Sequence, residues 1–190
     1  MTDQTILTVD GQPIGIRTLD EDDDATGRPT AVLLHATLST GDQLMGLARR
    51  LTGRFRVVLI DRRGSGRSQM ADPQPVPVDR HAADVVAVLD DLDIERAVVV
   101  GHSFGGVVAL RVAAEHPARV AAVIAWEPPY LAVADEGLRT AMAAMAEDVV
   151  ARYGTDGPGA AARRFLGAVS VEDGWDRLHP RKRESITGEC

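Results

Sequence analysis

Four short, almost wholly apolar runs punctuate the first two-thirds of the chain: Ala31–Leu34, Val57–Ile60, Ala97–Val100 and Val120–Ala125. Runs of this length without polar alternation read as strands buried on both faces. Between them the pattern shifts to helical spacing. Asp42–Leu51 is one such stretch. A second follows the loop marked by Pro73, Pro75 and Pro77, with Asp79 as its N-cap and Ala82, Val85, Val86, Leu89 and Leu92 on one face. A third begins after Ser103 and runs to about His116, where Pro117 stops it. Ahead of these, Thr5–Leu19 reads as two strands joined at Asp10-Gly11, a strong hairpin signal. The alternation of apolar strands with amphipathic helices predicts an α/β fold: a doubly wound, mostly parallel sheet with an N-terminal antiparallel hairpin and helices on both faces.

After Pro128-Pro129 the strand pattern ends. Leu138, Met142, Met145 and Val149 fall at helical spacing, which predicts a helix whose methionine stripe packs into a core. An Ala-rich helix is expected over Gly159–Gly167, and from Ser170 the chain turns polar with no further strand. The pattern thus divides the chain into a core over residues 1–129 and a helical region with a polar tail over 130–190.

Composition narrows the choice of partners. Aromatic residues make up 4% of the chain and the net charge is −7, which leaves little for stacking bases and disfavours nucleic acid or an acidic lipid surface. The single cysteine, Cys190, excludes an internal disulfide framework and a cysteine-based zinc site. The acidic run Glu21-Asp22-Asp23-Asp24 reads as a solvated loop, since consecutive residues do not all converge on one ion. With no basic, apolar leader at the N-terminus and no run long enough to span a bilayer, a soluble cytoplasmic protein without cofactor or metal is expected.

The chemistry concentrates where the third apolar run meets its helix: Gly101-His102-Ser103-Phe104-Gly105-Gly106. A serine between small residues at a strand-to-helix turn stands clear of the sheet, with the positive end of the following helix beneath it. His102 adjoins the serine on a sharp turn, so its side chain points elsewhere, and a packing or pocket-lining role suits it better than that of a base. Gly64-x-Gly66 lacks the third glycine of a dinucleotide fingerprint and opens no helix.

With these residues in place, the sequence resembles the α/β-hydrolase family over most of its length. Members carry His-Gly-x after the third strand, matched here by His35-Ala36-Thr37, with Ala36 where glycine is usual. The resemblance implies an oxyanion hole formed by the backbone N–H groups of Thr37 and Phe104, with the ring of His35 anchoring the loop. Asp61-Arg62-Arg63-Gly64-Ser65-Gly66-Arg67-Ser68 matches the family's Asp-x-x-Gly-x-Gly-x-Ser turn. Ser103 would be the nucleophile, acting on an ester, lactone or similar small acyl substrate.

A serine nucleophile needs a base and an acid, in family chain order Ser, Asp/Glu, His. Some relatives place the acid directly after the strand matching Val120–Ala125, which points to Glu127; His179 is the histidine that then completes the order. The strands that usually carry acid and base lie beyond the helical lid, and the chain reads as truncated after it. Three possibilities follow: an active hydrolase, a catalytically incompetent remnant that binds a small ligand or another protein, or a fragment of a longer enzyme. With no strand outside it, residues 121–125 would also form an exposed edge suited to homodimer pairing.

Overall fold

The computed structural model describes residues 2–20, 27–72, 74–169 and 174–187. The acidic run at 21–24 and Pro73 lie outside these residues. The chain forms two compact units, Met1–Pro129 and Tyr130–Cys190.

The first unit is built on a six-stranded sheet. Strands β1 (Thr2–Val9) and β2 (Gln12–Leu19) form the antiparallel hairpin. Its turn residues Asp10 and Gly11 both take positive φ, 47° and 72°, the conformation a tight two-residue hairpin requires. Strands β3 (Thr30–Leu34), β4 (Arg56–Ile60), β5 (Ala97–His102) and β6 (Val120–Trp126) are mutually parallel, and the order across the sheet is β1-β2-β4-β3-β5-β6. The apolar runs therefore became strands as their pattern implies, with β3 and β4 buried almost completely.

Alternation along the strands sorts the core into two layers. Val32, Leu34, Val58 and Ile60 meet α2 (Val78–Asp91) and α3 (Phe104–Glu115) through Val85, Leu89, Val108 and Val112 on one face. Ala31, Leu33, Val57 and Leu59 meet Ala48 of α1 (Met45–Leu51) on the other. Helices thus cover both faces. A turn of 3-10 helix, Gly41–Leu44, precedes α1 where a continuous helix from Asp42 was expected.

The start of α2 also differs from expectation. Pro77 is the N-cap and no side chain caps the helix; Asp79 lies inside the first turn, where it pairs with Arg111 at 2.7 Å. Proline supplies the fixed φ, so the helix starts one residue before the polar cap that the sequence offered. At the sheet's outer edge, Ile124 and Trp126 of β6 are 55% and 59% exposed.

The second unit contains α4 (Glu136–Asp156), α5 (Pro158–Val169) and α6 (Pro180–Thr187). Asp135 caps α4 by accepting the Leu138 N–H at 2.8 Å, and Gly157 ends it at φ 84°. Asp148 on α4 joins α5 through Arg164 and is held below its usual carboxylate pKa mainly by that bond. The methionine stripe does not enter a core: Met142, Met145 and Val149 are only half-buried and α4 has no buried residue. Within the second unit α4 packs mainly on α5, and the described residues of that unit contain no strand. The tail read as merely polar carries α6, whose first residue is Pro180, a common helix opener. No helix among the described residues is long and apolar enough to cross a membrane.

Candidate active site

Ser103 stands at the apex between β5 and α3 with φ 52° and ψ −122°, a backbone region that side chains other than glycine's rarely enter. Neighbouring atoms force that shape. A Cβ on Gly101 would overlap the Gly105 carbonyl. One on Gly105 would overlap the Leu34 carbonyl and lie 2.6 Å from His35 O. The start of α3 is therefore packed directly on the end of β3, which only glycine permits. Gly106 is less crowded: a Cβ there would lie 3.1 Å from Gly101 O, 3.2 Å from Pro128 and 3.5 Å from Ala125. The Ser103 N–H donates to Trp126 O at 2.9 Å and its carbonyl accepts from Gly106 and Val107, so the apex is tied to β6 and to its own helix.

Among the described residues the Ser103 Oγ makes no hydrogen bond, and neither does the N–H of Phe104, the first residue of α3. Helix-opening amides lack an intrahelical acceptor and carry the helix's positive end. The N–H of Thr37 is likewise unpaired. Both amides lie on segments that meet where Gly105 packs on the carbonyls of Leu34 and His35.

The loop carrying Thr37 is fixed from three sides. His35 is fully buried; its Nε2 accepts the Arg62 N–H at 2.9 Å, so the proton sits on Nδ1, which donates to Ala36 O at 2.8 Å. The Arg62 guanidinium donates to His35 O at 3.1 Å and to Ala36 O at 3.0 Å. Gln43 accepts the Ala36 N–H at 3.1 Å. Ala36 keeps an ordinary φ, and the loop's left-handed residue is Leu38 at 54°. The methyl group that replaces the family's usual glycine is accommodated because the turn's strain sits two residues later.

The turn at residues 61–68 buttresses this arrangement. Asp61 accepts Gly41 N–H at 2.7 Å, Arg67 N–H at 3.1 Å and Arg67 Nε at 2.9 Å. Burial works against its charge, yet these donors prevail and hold its carboxyl below the usual pKa. Gly64 and Gly66 take positive φ, and a Cβ on Gly66 would strike the Asp61 carboxylate. Ser68 closes the turn, donating to Asp61 O at 2.5 Å while accepting Gly15 N–H at 2.8 Å. Gly64-x-Gly66 is thus a structural turn.

On the β6 side, the His102 ring stacks on Trp126 with centroids 4.5 Å apart, and its Nε2 lies 3.7 Å from Glu127 Oε2. Its Nδ1 faces the Gln43 amide at 3.3 Å. Glu127 adopts φ 49°, and its side chain is 71% exposed. The structure therefore brings Ser103, Phe104, His102 and Glu127 to one end of the sheet, with Ala36 and Thr37 on the adjoining loop. His179 belongs to the second unit, where its Nδ1 accepts Arg181 N–H at 3.3 Å ahead of α6.

His81 was not anticipated. It is 5% exposed, edge-on to Phe104 at 5.5 Å, and its Nδ1 finds no partner among the described residues. Burial, then the charges of Arg62 and Arg63, then His35, push its pKa down from 6.5 to about 3. The unfolded chain therefore takes up this proton first, and native stability falls as pH drops from 6.5 toward 3. The loss is on the order of 4 kcal/mol over that window. Denaturant midpoints measured across it should decline for the wild type and flatten in His81→Phe; parallel slopes would show that the acid sensitivity lies elsewhere.

Comparison with known proteins fits this geometry. Residues 29–164 match the family model described as alpha/beta hydrolase fold. The chain belongs to the α/β-hydrolase family. A protein of Mycobacterium phage D29 named as a non-heme haloperoxidase is 35% identical over 124 residues, covering 65% of this chain and 42% of that protein. A protein of a Caulobacter species named as the carbamate hydrolase RutD is 40% identical over 96 residues, covering 50% of this chain and 36% of that one. A hydrolase from Pseudomonas aeruginosa superposes with a TM-score of 0.78 at 25% identity, over 97% of this chain and 67% of its own. The matched segments span less than half the length of these curated relatives. Within the α/β-hydrolase frame, the residues that sequence reading missed are Gln43 and the two groups buried against Phe104, Arg62 and His81. Only the doubled arginine after Asp61 could have drawn attention to Arg62.

Proposed function

We propose that the protein hydrolyses an ester, lactone or similar small acyl substrate through an acyl-enzyme on Ser103. The strained serine apex, with an unpaired amide at Phe104 beside it and another at Thr37 on the adjoining loop, carries this reading. Ser103 Oγ adds to the substrate carbonyl, and the N–H groups of Phe104 and Thr37 receive the oxygen that becomes negative. The alcohol departs, leaving the acyl group on Ser103, and water then releases the acid.

Proton transfer needs a base, and the chain has five histidines. The environments of those in the first unit argue against four of them. Both His35 nitrogens are committed, and His81 is too weakly basic with its pKa near 3. His102 is held by Trp126 and Gln43 beside the apex. His116 lies at the far end of α3, about 18 Å along a twelve-residue helix. The family chain order proposes Glu127 and His179 as acid and base, and unchanged ester turnover in His179→Ala would dismiss that base.

That no described residue hydrogen-bonds to Ser103 Oγ favours a second reading, a catalytically incompetent protein that binds a small ligand or another protein without turnover. A fluorophosphonate probe followed by peptide mass analysis separates the two. An adduct on the peptide containing Ser103, competed by an activated aryl ester that is turned over, is the expected result. An unlabelled protein that leaves the ester intact belongs to the second reading.

A further inference from the structure

Arg62 is an unusual residue to find inside this fold. It is 8% exposed, and no carboxylate among the described residues lies within ion-pair distance of it. An isolated buried charge is costly, so such groups are ordinarily paired. The neighbouring Arg63 follows that rule, forked onto Asp84 at 2.6 and 2.9 Å. Arg62 instead directs Nε and Nη2 at two consecutive carbonyls, His35 O and Ala36 O, with its guanidinium carbon 4.8 Å above the Phe104 ring. Burial lowers its pKa to about 10, which leaves it cationic at neutral pH.

The second carbonyl matters most. Ala36 C=O and Thr37 N–H belong to the same peptide group. That carbonyl receives two hydrogen bonds, from Arg62 Nη2 at 3.0 Å and from His35 Nδ1 at 2.8 Å. Donors on a peptide oxygen draw electron density through the amide and make its N–H a stronger donor. The same contacts fix the plane in which that N–H points. The Arg62 charge also rests on the ring of Phe104, whose backbone N–H is the other free donor.

We propose that Arg62, with His35, is a polarising and positioning brace on the Ala36–Thr37 peptide, strengthening Thr37 N–H toward a developing oxyanion. This rests on the acyl-hydrolase reading above. Arg62 never touches the substrate; it acts through the peptide. Because the benefit grows with negative charge on the substrate oxygen, it appears in kcat while KM stays unchanged.

The test separates charge from shape. Arg62→Gly leaves a space of guanidinium size, which can be refilled with guanidinium ion or with urea at low concentration. The two solutes have nearly the same shape and offer similar donors, but only guanidinium is charged. Expected is a drop in kcat of roughly 10-fold or more with KM unchanged, recovered by guanidinium and not by urea. In parallel, the Thr37 amide proton resonance should move upfield in the variant and return with guanidinium alone. Equal rescue by both solutes, or a change confined to KM, would reduce Arg62 to a loop clamp and overturn the proposal. Should Arg62→Gly not fold, Arg62→Lys and Arg62→Gln carry the same contrast: the lysine variant keeps most of kcat and the neutral one loses it, and equal losses refute the brace. The amide resonance decides the question even if the wild type turns over no ester. A wild type that takes no fluorophosphonate defeats the hydrolase reading, whereas an unmoved Thr37 resonance defeats the brace.

Discussion

Ser103→Gly is expected to abolish fluorophosphonate labelling and ester turnover while making the protein more stable by about 1 kcal/mol. The two effects have one structural origin. Ser103 sits at φ 52° and ψ −122°, where a Cβ costs on the order of 1–3 kcal/mol. The strain persists because Trp126 O holds the Ser103 N–H from one side and α3 holds its carbonyl from the other. Glycine adopts this conformation freely, though the unfolded chain gains roughly 0.5–1 kcal/mol of entropy from the substitution, which offsets part of the relief. Removing Oγ takes away the proposed covalent step, so activity above background should vanish. Urea denaturation beside the labelling assay checks both at once. A destabilised Ser103→Gly would mean that the serine side chain holds the apex together, and a variant that still labels would place the reactive group elsewhere.

Such strain is also why this part of the site was readable in the sequence. Gly101 and Gly105 are dictated by close backbone approach, and a non-glycine residue kept at the strained position between them stands out, so the elbow leaves a residue-by-residue trace. The strands were legible for a similar reason: β3 and β4 are buried on both faces, so their apolar runs are unbroken. What escaped reading depends on which chain ends the fold brings together. Arg62 follows β4 and His35 follows β3, and only the parallel pairing of those strands puts the guanidinium on the Ala36 carbonyl. Gln43 reaches both Ala36 and His102 from a short 3-10 turn whose pattern carries no chemical signal. In the second unit, the spacing of Leu138, Met142, Met145 and Val149 announced a helix correctly, but spacing does not say what the stripe packs on. Helical periodicity is a local property, whereas burial is not.

Gly105→Ala is expected to prevent folding, although it adds a single methyl group. The added Cβ would overlap the Leu34 carbonyl and come within 2.6 Å of His35 O. These are backbone atoms at the end of a central strand, so no rotamer change relieves the clash. Relief requires α3 to lift from β3, exposing Val108, Ala109 and Val112, all fully buried. A cost above roughly 4 kcal/mol follows, which consumes most of the stability of an ordinary domain. Gly46→Ala supplies the control, because the same substitution there meets nothing within 4 Å and lies in the helical segment Met45–Leu51. Alanine's better helix propensity should stabilise that variant by about 0.5–1 kcal/mol. Circular dichroism should therefore show an unfolded Gly105→Ala protein, while the urea midpoint of Gly46→Ala rises above that of the wild type. A Gly105→Ala protein that folds with a near-native midpoint would show that the elbow and the Ala36 loop are not in contact, and the site built on that contact would have to be redrawn.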